Sequence, residues 1–157
     1  MKNKIENFLQ QNFVAIWHHF LSFEISRSKF AVETWGSGNA YLIFQVIAWH
    51  HILVMTEEAE SKIRDEALEL WFKLTKTGFK THTVLTYSLI SSLTSLSIET
   101  VRRHVEKLKN NNWVSYTKKE GVKYSPSEEN NKFLADIFNA KEVKDLGRFL
   151  DIIEKQK

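Results

Sequence analysis

The stretch TYSLISSLTSLSIETVRRHVEKLKNNNWV, residues Thr86 to Val114, holds two helical patterns separated by a few residues. The second begins at Ser97, whose hydroxyl suits the N-cap because it can accept from an unpaired N–H of the first turn. Glu99 in that turn suits the positive end of the helix dipole. Val101, Val105 and Leu108 follow at i, i+4 and i+7, which is one buried stripe. At about 100° per residue, Glu99, Arg103, Glu106 and Asn110 fall on the opposite side, with Arg102 and Lys107 flanking them. His104 lies near the buried side and is expected to pack there. The first pattern predicts a helix from about Tyr87 to Thr94, with Thr86 as N-cap and Leu89, Ile90 and Leu93 as its buried face. Ser91 is the small residue where the two helices approach, Ser95 and Leu96 make the turn, and Leu96 plugs the angle between them.

Asn110, Asn111 and Asn112 end the second helix, since asparagine tolerates the left-handed conformation that stops one. Trp113 to Thr117 alternates apolar and polar, the period of a half-buried strand. Lys119, Glu120 and Gly121 read as a turn, and Val122 to Ser125 as the returning strand. Lys118, Lys119 and Lys123 decorate this hairpin. Two helices, a tight turn and a basic hairpin make a winged helix-turn-helix, an arrangement suited to double-stranded DNA. Arginine can pair both acceptors of guanine in the major groove, and glutamate can accept from the amino group of cytosine. Glu99, Arg102 and Arg103 are therefore expected to read bases. Thr86, Ser97, Thr100, Lys107, Lys118, Lys119 and Lys123 are expected to meet phosphates, the three hairpin lysines alternatively to lie along the adjacent minor groove. The competing reading of the same helix is a solvated face with Glu99 and Arg103 as an i,i+4 ion pair.

The run Ser97-Ile98-Glu99-Thr100-Val101-Arg102-Arg103, with Leu108 and Asn112-Trp113-Val114, resembles the recognition helix of the cyclic-AMP-receptor type of bacterial regulator. That resemblance implies DNA contacts for Ser97, Glu99 and Arg103. It covers only this segment, and nothing upstream looks like the β-barrel sensor of that family. The whole-chain layout is similar to the multiple-antibiotic-resistance regulator (MarR) family, which implies a winged helix between dimer-forming helices from both chain ends. The junction Tyr124-Ser125-Pro126-Ser127 looks like the strand-to-helix junction of those proteins. This chain departs from the pattern in three places. Ser95 stands where the turn glycine is usual, Asn112 replaces a small residue, and the acidic-arginine pair of the wing is absent.

The fold class expected is mainly α with a small two-stranded β-wing, a winged helix-turn-helix flanked by N- and C-terminal dimerisation helices. The 157 residues fit one domain, and 43% hydrophobic content supports a core. Within it, residues 1–75 supply N-terminal helices, 76–125 the winged helix and 126–157 C-terminal helices. The formal charge of +3 is unevenly spread. Residues 76–125 hold nine Lys/Arg against three Asp/Glu, and the remainder holds thirteen against sixteen. A basic centre between mildly acidic ends fits a nucleic-acid face. Absence of cysteine excludes disulfides, zinc–thiolate sites and cysteine nucleophiles. The N-terminus reads polar, with no signal peptide, so a cytoplasmic location is expected.

Leu9, Phe13, Ile16, Phe20 and Phe23 predict a first amphipathic helix over about residues 3–28. Trp35-Gly36-Ser37-Gly38-Asn39 is a break. Ala40 to Met55 is apolar almost all round, too short and too interrupted by Gln45, His50 and His51 to span a membrane. Such a helix is expected to be buried on all sides, by a second subunit as well as by the core. A third helix is predicted over about Glu57 to Leu74, with a stripe of Ile63, Ala67, Leu70 and Leu74 and an acidic outer face. Phe133, Ile137 and Phe138, then Val143, Leu146, Leu150 and Ile153, repeat the pattern. Apolar faces at both ends suit a homodimer, which also multiplies specificity by joining two half-sites.

His18-His19 and His50-His51 each offer one metal ligand rather than two, because adjacent helical residues diverge. With no H-E-x-x-H, no carboxylate cluster and no cysteine, packing roles are expected and no metal or cofactor is assigned. P-loop, G-x-G-x-x-G and G-x-S-x-G motifs are absent, so no enzymatic activity is expected. Trp17, Trp35, Trp49 and Trp71 are candidates to line a small-molecule effector pocket between the helical layer and the winged helix, an expectation owed mainly to the family resemblance. The alternative function is a winged-helix protein–protein interaction module, or a DNA-binding protein without sequence preference.

Overall fold

A computed structural model describes residues 4–59, 63–77 and 83–156, with backbone alone for 54–59. The chain is mainly helical with one two-stranded antiparallel sheet. The elements run α1 (Lys4–Gln11), α2 (Phe13–Trp35), α3 (Gly38–Ala59), α4 (Arg64–Thr77), α5 (Tyr87–Thr94), α6 (Ile98–Asn110), β1 (Val114–Thr117), β2 (Gly121–Tyr124), α7 (Glu128–Phe133), a π-helical turn (Leu134–Asn139) and α8 (Ala140–Glu154). Among the described residues, no helix is long and apolar enough to cross a membrane.

The centre of the chain follows its local chemistry closely. Thr86 is extended, and its hydroxyl accepts from the Leu89 N–H at 3.1 Å, starting α5. Ser97 does the same for Thr100 at 3.1 Å, starting α6. Between the helices Ser95 takes a left-handed conformation (φ 58°), where glycine would be unstrained. Hydroxyls hold this turn. Ser91 donates to the Leu96 carbonyl at 2.6 Å, and Thr94 donates to that of Ile90 at 2.7 Å. Leu96 packs against the core as expected, but Leu93 is exposed and Thr94 takes the buried place.

α6 buries Val101, His104, Val105 and Leu108. Its end is a Schellman motif: Asn112 is left-handed (φ 57°), its N–H reaches the Lys109 carbonyl, and the Trp113 N–H reaches that of Leu108 at 2.9 Å. Leu108 and Trp113 then meet in the core, the apolar contact such an end needs. α7 sits on this terminus. Ser127 N–H donates to the Asn112 carbonyl, and Asn130 Nδ2 donates to those of Asn111 and Asn112 at 2.8 and 2.9 Å.

The hairpin differs in register from the sequence expectation. Its turn is Lys118 to Glu120, and Gly121 belongs to β2, opposite Thr117. Gly121 has φ 70°, and a Cβ there would lie 2.5 Å from the Leu85 carbonyl oxygen. The approach exists because Val122 N–H donates to that same oxygen at 2.8 Å. The segment before α5 is thereby tied to the edge of the hairpin.

α3 is the hub. Its Ile43, Phe44 and Ile47 share one buried cluster with Trp71, Leu85, Ile90, Val101, Val105, Leu108, Trp113, Val114, Val122 and Tyr124. The single chain covers part of its apolar surface and leaves Leu42, Trp49, Ile52 and Leu53 exposed. His51 lies inside, against the rings of Trp71 (4.3 Å) and Tyr124 (5.0 Å). Beside it the buried Asn131 Oδ1 accepts from Trp71 Nε1 at 3.0 Å and from Tyr124 Oη at 2.8 Å. One amide thus joins α4, β2 and α7.

The end helices depart from the expected bounds and faces. The predicted first helix is two, interrupted at Asn12, and α2 continues to Trp35, where a left-handed Gly36 (φ 80°) stops it. The predicted helix over 57–74 is also divided. Residues 57–59 belong to α3, α4 starts at Arg64, and Ile63 lies outside the helix and exposed, so the inward stripe is Ala67, Leu70, Trp71 and Leu74. The acidic outer face is Asp65, Glu66 and Glu69; the side chains of Glu57 and Glu58 lie outside the described residues. Near the C-terminus the π-turn adds a residue to the helical repeat. Ala135 and Phe138 turn inward and Ile137 turns outward. α8 packs on α2 through Phe149, which lies about 6 Å from Phe20 and Phe23, and through an Arg27–Glu142 ion pair at 2.8 Å. Its Val143, Leu146 and Leu150 are exposed.

Candidate nucleic-acid interface

α6 projects Glu99, Arg102, Arg103, Glu106 and Lys107 away from the core, since its buried stripe occupies the other side. Glu99 and Arg102 form a forked pair. Arg102 Nη2 donates to both carboxylate oxygens at 2.9 Å, and Nε donates to one at 3.2 Å. Arg102 holds the Glu99 carboxyl below the usual range, and Glu99 pushes the guanidinium up. The ion pair expected between Glu99 and Arg103 is therefore made by Arg102 instead, at i,i+3. The helix places Arg102 and Arg103 on either side of Glu99, and the bidentate geometry is met from the Arg102 side.

The other acids of the region are also matched. Glu106 meets Lys109 at 3.4 Å, and Glu120 meets Lys123 at 2.7 Å. Lys123 and the Thr117 hydroxyl depress the Glu120 carboxyl, Lys123 the more strongly. Seven cations stand on α6 and the hairpin: Arg102, Arg103, Lys107, Lys109, Lys118, Lys119 and Lys123. Three are matched by these carboxylates. Among the described residues, Arg103, Lys107, Lys118 and Lys119 have no ion-pair partner, and all four are exposed.

Glu99, Arg102 and Arg103 line one cleft of about 480 Å³, together with Glu106, Tyr87 of α5 and Tyr116 of β1. The two tyrosines stack at 4.5 Å and form its wall. Burial and the neighbouring Glu106 push the Tyr87 phenol up to about 12. The sequence singled out neither tyrosine for this face. Tyr116 alternates with Val114, so its inward direction was legible, but the ring it would meet was not.

The remaining candidates divide into three groups. Thr86, Ser97 and Thr100 cluster at helix starts, where Thr86 and Ser97 serve as caps and Ser97 and Thr100 share a hydrogen bond at 2.9 Å. Lys118 and Lys119 occupy the hairpin tip, while Lys123 lies back along β2 against Glu120. Lys107 stands on the flank of α6 that borders Thr34 and Ser37 at the end of α2. His104 is buried as expected. Burial, with Arg103 and Lys107 nearby, lowers its proton affinity.

A cavity of about 430 Å³ does lie between the helical layer and the winged helix, with Trp35 in its lining beside His104 and Leu108 of α6, but Trp17, Trp49 and Trp71 do not line it. A cavity of about 620 Å³ is lined by Trp35, Trp49 and Trp71 with residues of α2, α3, α4, the π-turn and α8. No residue of α5, α6 or the hairpin lines it, and Trp17 instead stacks between Phe13 and Phe20. The arginines at its rim are engaged within the chain, Arg27 by Glu142 and Arg64 by the Ala135 carbonyl at 2.7 Å. Among the described residues the histidine pairs do not assemble with other ligands. His50 Nε2 lies 3.0 Å from the Thr83 carbonyl, and no cluster of three metal-ligating side chains occurs among the described residues.

Comparison with known protein families, with curated proteins and with solved structures gives no match to this chain.

Proposed function

We propose that the protein is a sequence-specific, DNA-binding transcriptional regulator of winged-helix build, acting as a homodimer on a pseudo-palindromic operator. The observation that carries this reading is the charge pattern of α6 and the hairpin. Every acid there has a cation of its own, and four further cations remain on an exposed surface. Such a surface attracts a polyanion through counterion release. α6 supplies base-reading groups in one cleft: Arg103 is free to approach a guanine, and Glu99 and Arg102 enter as a pair. An exposed ion pair of this kind is weak, so its members can exchange each other for base edges without large loss. The hairpin tip, with Lys118 and Lys119, takes the phosphates.

Competition binding with duplex DNA separates these roles. Arg103→Ala is expected to weaken a preferred site by about 1–3 kcal/mol and to relax preference at one base pair. Lys118→Ala is expected to weaken all duplexes alike and to reduce the salt slope by about one unit. Unchanged sequence preference in Arg103→Ala would remove α6 from the role of reader.

A further inference from the structure

α2 carries two apolar faces, and the described residues cover only one. Ile16, Phe20, Phe23, Arg27 and Ala31 face inward and are buried or half-buried. On the other side Val14, His18, Leu21, Ile25, Ser28 and Val32 are all exposed, Val14 at 80% and Ile25 at 67%. Their spacing alternates four and three residues without a break, which is the heptad seam of a coiled coil. Such a row fits another helix of matching repeat. A ligand cavity would be concave, and a solvated helix face would not hold four aliphatic residues at these positions.

The order of residues along the seam says which helix. Read backward it presents the same polarity: aliphatic, polar, aliphatic, aliphatic, polar, aliphatic. Laid antiparallel against a second copy of itself, Val14 meets Val32 of the second copy, His18 meets Ser28, and Leu21 meets Ile25. The two-fold axis repeats all three layers. Each apolar side chain finds an apolar one, and each imidazole finds a hydroxyl with which it can hydrogen-bond. A slip of one heptad would set His18 against Leu21 in one direction and Ser28 against Ile25 in the other, leaving a polar side chain opposite an aliphatic one, so the polar layers fix the register. A parallel pairing would stack two imidazoles in one layer and align the helix dipoles. The antiparallel pairing opposes them.

We infer that two copies of this chain associate through the antiparallel self-pairing of α2 along the Val14–Val32 seam. This gives the homodimer of the reading above its interface, but it rests on α2 alone. A test made without DNA stands or falls independently of nucleic-acid binding.

The absence of native cysteine makes disulfide trapping clean. Val14→Cys and Val32→Cys combined in one chain are expected to yield a covalent dimer under mild oxidation, and neither is expected to do so alone. In the antiparallel pairing two copies of residue 14 stand roughly 27 Å apart, at 1.5 Å rise per residue, beyond disulfide reach. The untreated protein is expected at twice its 18.5 kDa chain mass at micromolar concentration. Leu21→Glu with Ile25→Glu should give single-chain mass with unchanged helical circular dichroism, because both positions are exposed in the single chain. The inference is overturned by a single-chain mass for the native protein, by a dimer indifferent to the two glutamates, by failure of the double-cysteine chain to cross-link, or by efficient cross-linking of Val14→Cys alone.

Discussion

His51 is a titratable ring sealed at 1% exposure among Trp71 and Tyr124, and burial lowers its pKa from 6.5 to about 4. The unfolded chain therefore takes up a proton before the native one does. Stability from this group is complete above about pH 6.5 and is lost as pH falls toward 4, by about 3 kcal/mol in all. Urea unfolding of His51→Phe, which keeps a ring in the aromatic site, should show a shallower decline over that window than the native chain. Equal declines would contradict the assignment. The sequence showed His51 only as half of a histidine pair. Which of the pair turns inward depends on the rings opposite, contributed by α4 and β2, and no local pattern encodes that. The caps were legible for the opposite reason. Thr86, Ser97 and Asn112 act on backbone within a few residues of themselves, so their chemistry is written beside them. Glu99 was legible as an ion-pairing group, but the choice between Arg102 and Arg103 is a matter of side-chain geometry.

Elements behave similarly. α5, α6 and the hairpin carry clear periods and clear stops, and their expected bounds hold to within a residue or two. The end helices carry apolar residues on more than one side, so period alone does not say where they bend. Asn12 interrupts the first run without a proline or glycine to announce it. The π-turn shifts Ile137 outward while Phe138 packs with Ala31 and Tyr41 across the chain. The joint between these regions is Asn131, whose single oxygen receives both the Trp71 and Tyr124 donors. Asn131→Leu would leave two buried donors unsatisfied and is expected to cost about 3 kcal/mol of unfolding free energy, measured by urea titration. A loss under about 1 kcal/mol would show that the joint is held by packing alone.

At the scale of the molecule, one cluster centred on α3 packs α5, α6 and the hairpin against the helical ends, so α6 is presented on a common core. The charge asymmetry was already visible in the sequence. What the fold adds is its internal accounting. The acids of α6 and the hairpin each satisfy one cation, and the excess collects on the exposed side. The proposed two-fold was suggested in the sequence by apolar end helices, but which of their faces the described residues leave uncovered, that of α2 among them, is seen only in the fold. The reading of α6 as a DNA reader is tested most directly by selecting random duplex DNA with the purified protein at moderate salt. The predicted result is enrichment of a pseudo-palindrome whose half-sites lie about one helical turn apart. A pool that remains random after repeated selection would contradict it.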